Sequence, residues 1–311
     1  MNGIQIIIGI DVSKASLQIS TFDKGKALIP NTAAGIRSLI NRTEKLKSSF
    51  IFCCEATGGY ERLFVDHCHT YDIPVAVLNA RQVRDFARSK NILAKTDAID
   101  AEVIRMFAEN NDLRLYPKPE SWRLSLQALL TRRDELKDMI TQERNRLETL
   151  QDPLIRKMIK AHLRSLASQD KRLIIELKDL VSSHESLRVF CDRLISVKDI
   201  GLLSALSLFA YLPELGQITD NQAAALAGLA PWCQDSGNWK GERHISGGRS
   251  KVRRALYMPA INASTSNPIL KEYYQKMIRR GKPAKVALTA VMRKMVCLAN
   301  KVASDPDFIP A

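Results

Sequence analysis

The chain opens on a nearly unbroken apolar run, "IQIIIGIDVS", rich in β-branched residues, which predicts a buried strand. "SLQISTFD" alternates apolar and polar and predicts a second strand after a turn at Lys14-Ala15, with "KALIPN" as a third. Next come a helix in "TAAGIRSLINRTEKL", a buried strand in "SSFIFCCEAT", and a turn and helix in "GGYERLFVDHCHTY". A strand in "IPVAVLN" and helices in "ARQVRDFARS" and "TDAIDAEVIRMFAEN" complete the first region. Strands first, then helices alternating with strands, predict a layered α/β domain over residues 1–116.

After the linker "YPKPES" the period changes. Leu126, Leu129, Leu136, Ile140, Leu147 and Leu150 recur at steps suited to a helix stripe, with Arg133 and Glu143 at two polar steps. Pro153 interrupts the run, which resumes with Ile159, Leu166, Leu173, Leu177 and Leu180. Residues 117–190 are therefore expected as two long helices, either a hairpin within the chain or a coiled coil between chains. In the region 191–311, "LISVKDIGLLSALSLFAYL" predicts a helix-hairpin-helix-like segment turning at Gly201. "NQAAALAGLAP" follows as a helix, "WCQDSGNWKGERHISGGRS" as a loop, and three more helices close a mostly α domain.

Composition sharpens this picture. With 311 residues, 45% of them hydrophobic, the chain has enough apolar material for two or three folded domains. It contains no apolar run of membrane-spanning length and no signal-peptide pattern. The six cysteines have no CxxC spacing, which fits a reducing, cytoplasmic setting. "HCH" at 67–69 is not expected to bind metal, because residues two apart on a helix do not share a face. The net charge of +14 is uneven: residues 185–311 carry +8, and 240–301 hold 15 basic residues against Glu242 and Glu272. Such a block predicts a polyanionic partner rather than a membrane, with Lys95, Lys240, Arg243, Arg249, Lys251, Arg253 and Arg254 as contacts.

Four acids carry the candidate chemistry. Asp11 ends the first strand and Glu55 another, so both are expected at one edge of the sheet. Asp97 and Asp100 lie three apart at the start of a helix and share a face. Helix capping by Asp97 is the plain alternative. Converging carboxylates repel unless cations bind, and all-oxygen donors suit Mg²⁺. Two such ions can clamp the attacking and leaving oxygens of a phosphodiester, the arrangement expected of an RNase H-like nuclease. "GIDVSK" also resembles a phosphate loop of actin-like ATPases and sugar kinases, for which "EATGGY" is the one further glycine-rich candidate.

Taken together, "GIDVSK", "CCEATGGY" and "KTDAIDA" resemble the N-terminal half of the DEDD transposases of the insertion sequence 110 family, whose relatives include the Piv DNA invertase. "GLAPWCQDSGNWKGERHISGGRSKVRRALYMPA" is similar to that family's second domain. The resemblance implies a RuvC-like domain with Mg²⁺, expected as two ions, on Asp11, Glu55, Asp97 and Asp100. It also implies a DNA-attacking serine, here Ser236 in "DSG", with Ser246 in "ISGG" as the rival; where family members often have two serines before the glycine, this chain has Asp235 then Ser236. The serine would reach the metals from another domain or another subunit. Further implied are donor and target DNA, a structured guide RNA that selects sequence by base pairing, a homo-oligomer of two or four copies, and a prokaryotic, nucleoid-associated location. A RuvC-like hydrolytic junction endonuclease is the alternative from the same fold; the actin-like ATPase or sugar kinase and a non-catalytic nucleic-acid scaffold are alternatives from other classes.

Overall fold

The protein is described from a computed structural model covering residues 6–21, 25–44, 49–94, 96–232, 235–236, 239–241, 243–305 and 307–308, with the side chains of 44, 235–236 and 239–240 left aside. The chain divides into two compact units, Met1–Pro119 and Glu120–Ala311.

Unit 1 is built on a five-stranded sheet of order β3-β2-β1-β4-β5. The strands are β1 (Ile6–Val12), β2 (Ser16–Ser20), β3 (Lys26–Pro30), β4 (Phe50–Glu55) and β5 (Val75–Leu78). β1, β2 and β3 form an antiparallel meander, while β1, β4 and β5 run parallel. Helices α1 (Ala33–Glu44), α2 (Arg62–Thr70), α3 (Ala80–Ser89) and α4 (Asp97–Glu109) cover the two faces. Side-chain alternation divides the core accordingly. Ile8, Ile10, Phe52 and Cys54 pack with Ile36 and Ile40 of α1 and Phe64 of α2. On the opposite face Ile7, Ile51 and Cys53 pack with Val83 of α3 and Val103 and Ile104 of α4. The expected α/β layering is observed.

Gly9 sets the spacing between sheet and helix. A Cβ there would lie 2.3 Å from the Ala101 carbonyl oxygen and 2.6 Å from the Arg105 amide nitrogen of α4. The helix backbone therefore rests directly on β1, which only a residue without a side chain permits.

Unit 2 is mostly helical. α5 (Ser121–Thr149) and α6 (Pro153–Ser183) are the two long helices. Asp152 caps α6 by accepting from the Ile155 amide, and Pro153 occupies the first turn, where its missing N–H costs nothing. The two helices pack on each other within one chain through Leu136, Ile140 and Leu166. The polar steps are not solvated. Arg133 and Lys137 both pair with buried Asp170, at 3.1 and 2.8 Å, and buried Glu143 meets Arg146 and His162. At the base, Leu126, Leu130 and Leu177 join the main core of the unit.

That core also takes in α7 (Glu185–Ile195), α8 (Leu202–Tyr211), α9 (Asp220–Leu226), α10 (Ser250–Ser266), α11 (Pro268–Arg279) and α12 (Ala284–Ser304). Gly201 stands at the N-cap of α8, its carbonyl accepting from Ser204 and Ala205, so it begins the second helix rather than capping the end of the first. The glycine-rich segment expected as a loop contains four short strands. β6 (Pro231–Trp232) pairs with β9 (His244–Ile245), and β7 (Asp235–Ser236) pairs with β8 (Trp239–Lys240), all antiparallel. Strands of two residues show no period, so the pattern of apolar positions could not reveal them. Among the described residues no helix is long and apolar enough to cross a membrane.

Candidate functional site

Asp11 shares the face of β1 that carries Ile7 and Gly9, the face crossed by α4. Glu55 shares the face of β4 that carries Ile51 and Cys53, again toward α4. β1 and β4 are parallel with Ile10 opposite Cys54, so the next step of the same register sets Asp11 beside Glu55. Adjacent strands lie about 4.8 Å apart, and both acids are half-buried at the C-terminal edge of the sheet.

Asp97 and Asp100 occupy the first turn of α4, Asp97 exposed and Asp100 half-buried. The N-cap is Thr96, whose hydroxyl accepts from the Ile99 amide at 3.3 Å. Capping therefore falls to the threonine, and the two carboxylates are not needed for it. They sit within about one helical turn, ~5.4 Å, of the point where α4 crosses Gly9. The structure thus brings Asp11 and Glu55 side by side on the sheet, and Asp97 and Asp100 together on the helix. Among the described residues no group of three or more His, Cys, Asp or Glu is arranged to hold a metal ion. Lys95 lies outside the described residues.

Two residues that sequence reasoning passed over shape the loops behind these acids. Asn31 donates through Nδ2 to the Ser13 carbonyl at 2.9 Å and the Tyr60 carbonyl at 3.2 Å. It fastens the loop after Asp11 to the loop after Glu55. Glu61 Oε2 accepts from the Thr57 amide at 3.2 Å, the Thr57 hydroxyl at 2.8 Å and the Gly59 amide at 2.8 Å. Gly58 and Gly59 take φ of 78° and 126°, so the loop returns on itself to make these bonds. Burial works against the charged form of Glu61, but the bonds from Thr57 and Gly59 outweigh it and hold the carboxyl below its ordinary range. The one sequence signal was the acid following "TGGY", which a turn reading treats as solvent-facing.

In unit 2, Ser236 ends β7 and pairs with Trp239 of β8; its side chain and that of Lys240 lie outside the description. Ser246 and Arg243 are exposed, and the Ser246 carbonyl accepts from the Trp232 indole at 3.3 Å. The other four basic positions are engaged within the protein. Arg249 grips Glu214 with both Nη atoms, at 2.5 and 2.6 Å, and also donates to the Tyr211 carbonyl. Lys251 donates to the Thr131 hydroxyl at 2.7 Å and lies 4.5 Å from the centroid of the Tyr211 ring. Arg253 donates to the Ala227 and Gly247 carbonyls, and Arg254 pairs with Asp138 of α5. Each of these four expected phosphate contacts thus also has a partner within unit 2. Their charges tie α10 to α5, to the end of α8 and to the segment after α9, and the partners were too distant in sequence to foresee.

The comparisons with known proteins agree with this order of motifs. A transposase family of the DEDD, IS110 type matches residues 8–154, which contain all four acids. The transposase IS116/IS110/IS902 family matches residues 191–275. The pilin gene-inverting protein of Moraxella lacunata is 25% identical over 80% of this chain and 78% of its own. That of Moraxella bovis is 24% identical over 95% and 94%. The transposase for insertion sequence element IS1111A of Coxiella burnetii is 23% identical over 95% and 86%.

Proposed function

The chain belongs to the IS110 family of DEDD transposases and is a DNA transposase/recombinase, and from that premise we propose how its residues divide the work. Unit 1 is an RNase H-like, RuvC-like catalytic domain, a reading supported by the 3-2-1-4-5 sheet with Asp11 on its central strand. Asp11, Glu55, Asp97 and Asp100 hold Mg²⁺, with two ions expected. The observation that carries this reading is the register that sets Asp11 beside Glu55 on the face crossed by α4. The donors are carboxylate oxygens, which fit a hard divalent cation. When bound, the metal supplies charge stabilisation at the phosphodiester oxygens.

The protein's own residues do the rest. The Ser236 hydroxyl attacks phosphorus, the bond to a sugar oxygen breaks, and the strand is held as a protein–DNA ester until a sugar hydroxyl reverses the exchange. Asn31 and Glu61 hold the loops that follow Asp11 and Glu55. A guide RNA selects the sites by base pairing, and the excess positive charge of 240–301, with Arg243 exposed, supports a nucleic-acid partner. The working form has two or four copies, in the cytoplasm where its DNA lies.

The test traps the protein on cleaved DNA and maps the linked residue by peptide mass. Linkage at Ser236, its loss in Ser236→Ala, and a rate drop of roughly 10²–10³ in Asp11→Asn are expected. Cleavage that persists in Ser236→Ala without any linkage would favour a RuvC-like hydrolase, and linkage at Ser246 would move the nucleophile. Sequencing the RNA that copurifies tests the guide.

A further inference from the structure

Unit 2 carries an open cavity of about 540 Å³, walled by α11, α12, the start of α9 and Phe308. It is well separated in sequence from Ser236 and from the four acids. Two aromatic rings line it, each with a lysine ammonium on its face: Lys294 lies 4.6 Å from the Tyr273 centroid and Lys301 lies 5.7 Å from that of Phe308. Arg293 adds a third cation, with Nη2 on Asn221 at 3.2 Å.

Asn267, buried at 6% exposure, also lines the cavity. Its Oδ1 caps α11 by accepting from the Ile269 and Leu270 amides, both at 3.1 Å. With the oxygen committed there, the amide orientation is fixed, and no acceptor among the described residues meets Nδ2. Nδ2 is not among the buried side-chain atoms left without a partner, so it keeps access to the open cavity and is free to donate to whatever fills it. Asp220 also stands on the wall, where it accepts from Asn300 Nδ2 at 3.0 Å, so part of its charge is already met.

We propose that this cavity binds one nucleotide of a single strand, RNA or DNA, with the base against the Tyr273 and Phe308 rings and the phosphate against Arg293 and Lys294. The volume takes a nucleotide. Flat rings offer the base a stacking surface, an amide donor meets a base carbonyl, and cations at the rim meet phosphate. A base paired in a duplex cannot enter, so the site selects unpaired nucleotides. It holds a strand by one flipped or terminal residue.

The experiment uses the full chain in an Asp11→Asn background, so that defects in cutting and in this site are read separately. Short single-stranded RNA and DNA oligonucleotides carrying a photoactivatable thiobase are cross-linked, and their affinities are measured by fluorescence anisotropy. Cross-links on the peptides bearing Tyr273 or Phe308 are expected. Tyr273→Leu and Arg293→Gln should each weaken single-strand binding by about tenfold while duplex binding stays unchanged, and Tyr273→Phe should bind like the parent. The tighter of the RNA and DNA arms names the natural strand. Arg293 is only half-buried, so its variant keeps the proposal testable if Tyr273→Leu fails to fold. Cross-links confined to other peptides, or unchanged single-strand affinity in Arg293→Gln, would overturn it. So would displacement of the strand by an acidic peptide that binds more tightly.

Discussion

The edge of the unit 1 sheet and the start of α10 are both charged, and they use charge in opposite ways. At the sheet edge, Asp11 and Glu55 stand alongside one another, two carboxylates on neighbouring strands. The packing around them is close: Gly9 lets α4 lie on the strand, and Asn31 and Glu61 fasten the two loops. At the start of α10, Arg249 at its N-cap and Lys251, Arg253 and Arg254 in its first turns each find a partner inside unit 2. A residue's charge therefore does not announce whether it serves the fold or a ligand. Its partners show what it does for the fold, and most of those lie far away in the chain.

The comparison breaks first at Gly9. Gly9→Val should destabilise the protein by about 3 kcal/mol or more, read as a fall in the urea midpoint, because backbone atoms of α4 cannot retreat as a flexible side chain would. An unchanged midpoint would mean that the close approach does not matter. Next comes Arg249→Ala, which leaves half-buried Glu214 without its fork and should cost about 2 kcal/mol. A double-mutant cycle with Glu214→Ala isolates the pair. If instead the midpoint holds and the salt dependence of nucleic-acid binding flattens by about one unit, Arg249 serves the ligand after all.

Glu61→Gln should cost about 1 kcal/mol at neutral pH, discounted because the carboxyl is only partly buried. Because the folded carboxyl is held below its ordinary range, its contribution is complete above the usual glutamate pKa of about 4.3. It fades as the pH falls through the lowered folded value. The gap between parent and variant should therefore close in acid, and a gap that widens there would reverse the assignment. Smallest is Arg254→Ala, an exposed pair with Asp138, for which a cost under about 1 kcal/mol is expected.

Much of the scaffold was readable from residue order. The β-branched run of β1, the glycine-punctuated "EATGGY" and the 3-and-4 spacing of the long helices each report a local preference that packing then reinforces. The acids could be placed at strand ends for the same reason. What escaped depended on distant partners. Arg254 meets a residue 116 positions away and Lys251 one 120 away, and no local pattern carries that. The cap of α4 escaped by one residue, since Thr96 and Asp97 are both good N-caps and only the backbone turn chooses between them. The ribbon around Ser236 escaped because its strands are shorter than one period of alternation.

The paired helices of α5 and α6 have a consequence in time rather than in space. Near the base their amides are protected by the large core that includes Leu126, Leu130 and Leu177. Midway, protection rests on Leu136, Ile140 and Leu166 together with Asp170 and its two cations. Beyond that the buried side chain on α5 is Glu143, and Leu154, Ile155 and Met158 at the far end face solvent. Opening free energy should fall stepwise along the hairpin, so hydrogen exchange would run as a clock from tip to base, the outermost turns exchanging long before the protein as a whole unfolds.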